Sequence, residues 1–128
     1  MSVNVLSAVK KGMKDAGLNY QFFEWKGESI PDRYWTGEYQ ELDPLNEDGM
    51  HETSFILVGH CWGSRLELEK DKEKIQKIFP QCGGYKATAD DGSVVAIFYA
   101  GCLANVPTGD ANIKRMEVNL TIKEWKVI

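Results

Sequence analysis

His60 and Cys61 stand side by side in the chain, and Cys82 and Cys102 follow further along. An imidazole next to a thiol is the minimum equipment for an activated thiolate or for a metal centre. Neither is expected here. There is no Cys-x-x-Cys pair, neighbouring residues on a strand point to opposite faces, and isolated cysteines are commonly buried as small hydrophobes. The carboxylates of Glu38, Glu41, Asp43, Glu47 and Asp48 crowd one stretch, yet they follow no twelve-residue calcium-loop pattern and read as solvated charge. Gly83-Gly84 follows an expected helix and precedes an expected strand, the reverse of a phosphate loop, so it reads as a helix stop. Ser64 lacks the Gly-x-Ser-x-Gly context of a serine nucleophile. No catalytic residue, metal ligand or cofactor is therefore expected. What remains is an aromatic inventory, Trp25, Tyr34, Trp35, Tyr39, Trp62 and Tyr99, whose uses are core packing, a pocket wall or a protein interface.

The elements that must position these side chains are legible in the spacing. Val5, Leu6, Val9 and Met13 recur at helical spacing and Gly17 supplies a stop, which predicts a helix over 4–16. Strands are predicted over 20–25 and 33–39, where aromatic and alternating residues are separated by Gly27, Ser29 and Pro31. The turn formers of 42–50 predict a surface loop. Residues 53–62 place apolar side chains on both faces, which predicts a central strand buried on both sides. Ser64-Arg65-Leu66-Glu67 has the spacing of a capping box, and Leu68, Ile75, Ile78 and Phe79 form the apolar stripe of the helix it opens. Asp71, Lys72, Glu73 and Lys74 read as its solvated side. Tyr85 to Thr88, the turn Asp90-Asp91-Gly92 and Val94 to Tyr99 form a hairpin. Met116, Val118, Leu120 and Ile122 alternate with polar residues, which predicts a strand with one buried face.

The order helix, three strands, helix, three strands makes an α+β domain over 1–128, an antiparallel or mixed sheet with two helices on one face. At 128 residues, 43% hydrophobic and 27% charged, the chain has the size and composition of one folded domain. A net charge of -4 gives no electrostatic footprint for sequence-specific nucleic-acid binding. No apolar run approaches the roughly 20 residues of a membrane span, and no basic-then-apolar leader opens the sequence. Three unpaired cysteines suit a reducing compartment, so a cytoplasmic location is expected.

Three phrases carry a resemblance: Ala16-Gly17-Leu18-Asn19-Tyr20 after the first helix, Ile30-Pro31-Asp32-Arg33-Tyr34-Trp35 leading into a strand, and Lys114-Arg115-Met116-Glu117-Val118 in the closing strand. Together they resemble the tail terminator (tail completion) proteins of long-tailed phages and prophages. That family runs from a short helix to a strand, a strand introduced by proline and aromatics, a polar loop, a long strand, a second helix and a C-terminal hairpin. The resemblance implies a non-enzymatic protein that caps the tail tube, commonly as a hexameric ring, and presents the surface to which the head attaches. Its partners would be copies of itself, the tube protein and head-tail connector proteins, and it would travel from the host cytoplasm into the virion tail. A ring needs a heterologous contact, one patch meeting a different patch on the next subunit. On that implication the loops 42–50 and 105–112, with Asp43, Glu47, Asp48, Thr108 and Asp110, are candidate contacts, and Tyr34, Trp35 and Tyr39 are candidate aromatic anchors. An alternative from a different class is a small-molecule-binding α+β module in which the aromatic strands wall a pocket and Glu24 or Glu38 recognises a cationic group. A cysteine or metal enzyme stands third.

Overall fold

In the computed structural model, residues 3–27, 29–41, 50–104 and 106–126 are described, with the backbone alone for Glu41. The elements are α1 (Val3–Asp15), β1 (Tyr20–Phe22), β2 (Arg33–Glu41), β3 (Met50–Trp62), α2 (Arg65–Ile78), β4 (Tyr85–Thr88), β5 (Val94–Leu103) and β6 (Ile113–Trp125). This is the expected order. The strands form one six-stranded sheet in the order β1-β2-β3-β6-β5-β4, mixed because β1 runs parallel to β2 while all other pairs are antiparallel.

Both helices lie on one face. Val5, Val9 and Met13 of α1 and Leu68 and Ile75 of α2 are buried with Trp35, Phe55, Leu57, Ile97 and the even-numbered apolar residues of β6 in one core. The strict alternation of β6 is what the sequence leads one to expect: Met116, Val118, Leu120 and Ile122 face the helices, and the residues between them do not. β3 differs from expectation. It is central, but only Thr53, Phe55, Leu57, Gly59 and Cys61 are buried, because no described helix covers the second face and Ile56 and Val58 stay half-buried there.

Three further departures have local causes. β1 stops at Phe22 and does not reach Trp25, because Phe23 takes a left-handed backbone (φ 65) and Glu24 N–H turns back to the Phe22 carbonyl at 2.8 Å. The capping box forms by half. Ser64 caps α2 by accepting from Leu66 N–H, but the Glu67 carboxylate turns away to the Arg33 guanidinium at 2.8 Å, a charge-assisted bond stronger than a neutral amide offers. Asp71, expected on the solvated side of α2, is 1% exposed. Its Oδ2 accepts from Trp35 Nε1 at 3.1 Å and from Arg33 Nε at 2.8 Å, so the polar residue is buried among partners.

Candidate functional site

The register of three strands builds the site on the face the helices leave open. Tyr34, His60 and Arg115 stand abreast across β2, β3 and β6; one step along are Thr36, Val58 and Glu117; one further are Glu38, Ile56 and Asn119. After Phe23 redirects the chain, Trp25 folds back over this face, held by an Nε1 bond to the Ser29 carbonyl at 3.2 Å, and packs on Tyr34 with ring centroids 5.4 Å apart. Tyr34 in turn stacks on His60 at 4.6 Å and 14°. On the far side, Val106 N–H bonds to the Arg115 carbonyl at 3.3 Å and brings the β5–β6 connection alongside. The resulting cleft has a volume of about 480 Å³, with Phe23, Trp25 and Tyr34 as aromatic wall, Val58 as floor, and Glu24, Glu38, Glu117 and Arg115 as its charges. A second cleft of about 300 Å³ continues past Tyr34, His60 and Arg115 toward Trp62.

His60 is held neutral. Burial first, and the positive Arg115 beside it second, lower its pKa from 6.5 to about 4, and its Nε2 lies 3.3 Å from Thr36 Oγ1. A histidine depressed in the folded state binds fewer protons than its unfolded counterpart, so it contributes stability above about pH 6.5 that is lost as pH falls toward 4. The expected loss is about 1–2 kcal/mol after allowing for solvent at this partly open site. Urea midpoints at pH 7 and pH 4.5 should therefore fall less for His60→Gln than for the parent chain. Equal falls would show that the imidazole is not held neutral.

Sulfur chemistry finds no support in this arrangement. His60 and Cys61 point to opposite faces of β3, burial pushes the thiols of Cys61 and Cys102 up and away from thiolate, and all three cysteines are free. Among the described residues no group of three or more His, Cys, Asp or Glu side chains is placed to hold a metal ion. No described helix is long and apolar enough to cross a membrane.

The candidate contacts of the resemblance separate. Trp35 is corrected from anchor to core: it is 0% exposed, pressed against Gly59 under the helices, and has no surface to offer a partner. Tyr34 is half-buried in the ring stack of the cleft. Tyr39 is 39% exposed and groups with Phe22 at 6.0 Å and Phe23 at 6.4 Å, an aromatic patch at the β1–β2 edge. Thr108 and Asp110 brace their own loop: the Thr108 hydroxyl bonds to the Asp110 and Ile113 carbonyls, and Asp110 Oδ1 accepts from Asn112 N–H. Asp43, Glu47 and Asp48 lie outside the described residues. Glu41 and Met50 sit at the opposite end of the sheet from Ile113. Sequence reading missed Arg115, Glu117 and His60 as neighbours of Tyr34, because only strand register brings them together.

No protein-family model matches the chain, and a search of curated proteins finds no match.

Proposed function

We propose that the protein is a non-enzymatic assembly subunit that caps the tail tube of a long-tailed phage or prophage and takes part in head-tail joining, as a ring of copies. The observation that carries this reading is where large apolar side chains stay exposed. Phe23 and Tyr39 cluster at one sheet edge, Trp62 and Leu103 at one end of the long strands and Trp125 at the other. Apolar surface distributed over an edge and both ends suits a subunit with different neighbours on different sides. The element order, from short helix through proline-aromatic strand to C-terminal hairpin, also agrees with the family it resembles.

The edge patch gives a test. In a strain lacking the gene, a Phe23→Glu/Tyr39→Glu chain should remain folded, since both side chains are already exposed, and should fail to restore tails of normal length. Full restoration by that variant would remove the patch from the contact.

A ligand-binding module is the second reading, favoured by one observation. Glu24, Glu38, Trp25 and Tyr34, the residues such a pocket requires, line a single cleft.

A further inference from the structure

The charges of the open-face cleft do not satisfy one another. Among the described residues Arg115 makes no ion pair within 4 Å and its buried Nε has no hydrogen-bond partner. Glu24, Glu38 and Glu117 likewise enter no ion pair among the described residues. For Glu38 the register explains why; Glu117 stands two residues from Arg115 on the same face of β6 and still makes no ion pair with it. Arg115 and Glu38 occupy opposite corners of the three-strand grid, two strands and four residues apart, or about 16 Å between Cα atoms. Side chains leaning toward each other across the face would bring the charged groups to roughly 8 Å. Between them lies the apolar Val58, roofed on one side by Trp25 packed on Tyr34.

We propose that this cleft binds a small organic zwitterion, with its anionic group on Arg115, its apolar body over Val58, and its cationic group against Glu38, Glu24 and the aromatic wall. The inference rests on the ligand-binding reading and is independent of the tail-tube reading. A lone anion would meet three carboxylates, and a lone cation would leave the guanidinium uncompensated. A molecule carrying both charges at the right separation satisfies each end at once. The guanidinium's planar fork suits a carboxylate, and the ring faces suit a quaternary or primary ammonium.

The test is calorimetric titration of the full chain with 6-(trimethylammonio)hexanoate, whose charges sit at about this separation, beside hexyltrimethylammonium and hexanoate as single-charge controls. The zwitterion should bind at least about tenfold tighter than either control. Arg115→Gln and Glu38→Gln should each abolish that advantage, and Arg115→Lys, which keeps the charge but loses the fork, should retain part of it. Unchanged melting temperatures would establish that the variants fold, and Glu38, being exposed, keeps the test valid even if Arg115→Gln does not. Equal affinity for the zwitterion and hexyltrimethylammonium would overturn the role of Arg115. Absence of binding by all three probes would overturn the ligand-binding reading itself, and would leave the tail-tube reading where it stands.

Discussion

Asp71→Ala should lower the free energy of unfolding by about 2–4 kcal/mol, a large share of the roughly 5–15 kcal/mol typical of such domains. The carboxylate is 1% exposed and is shared by two donors, Trp35 Nε1 and Arg33 Nε. Removing it leaves a buried indole N–H without an acceptor and a guanidinium without the more buried of its two carboxylate partners. Arg33 retains Glu67 and is 35% exposed at its side chain, which keeps the expected loss below that of a fully buried pair. Asp71→Asn should cost less, since the amide oxygen still accepts from the indole. Urea unfolding with an unchanged slope would report the difference as a shift of midpoint. A loss under about 0.5 kcal/mol would show that Asp71 behaves as an ordinary solvated helix residue.

The second large effect concerns Gly59. A Cβ there would lie 2.7 Å from the Trp35 ring, closer than carbon atoms approach, and the ring is fixed on its other side by the bond to Asp71. Gly59→Ala should destabilise by about 1–3 kcal/mol through overpacking. In a Trp35→Phe background, whose smaller ring vacates that space, the same substitution should cost less than about 0.5 kcal/mol. A double-mutant cycle measures the coupling directly. Additive losses would mean that the indole can move aside, and that its place against β3 is not fixed.

These two positions also show what the sequence made legible. The alternation of Met116 to Ile122 exposes its meaning within one strand, because a period of two needs no partner to be read. The helix order and the Asp90-Asp91-Gly92 turn are equally local, and the turn closes as expected, with Ala89 N–H bonded to the Ser93 carbonyl. Asp71 was hidden by its neighbours in the charge run, although a signal was present. It stands three residues after Leu68 and four before Ile75, within the apolar stripe itself, and a charged residue at such a position requires a buried partner. Trp35 reads as surface-capable in a strand that also carries Tyr34 and Tyr39. Its burial depends on the side-chain-free Gly59 opposite, on a strand more than twenty residues away. The open-face cleft is the least local feature, since it requires the register of three strands and the backward turn at Phe23. Glu24, Glu38, Trp25 and Tyr34 were identifiable as residue types suited to a cation, but Arg115 and His60 join them only through that register.

The tail-tube reading is tested most directly by deleting the gene from the genome that carries it, inducing particle production, and imaging the lysate by electron microscopy. The expected result is overlong or unattached tails beside filled heads, because a tube without its cap continues to grow and offers no joining surface. Particles of normal tail length, joined to heads as in the parent, would contradict the assembly role and leave ligand binding on the open sheet face as the function to pursue.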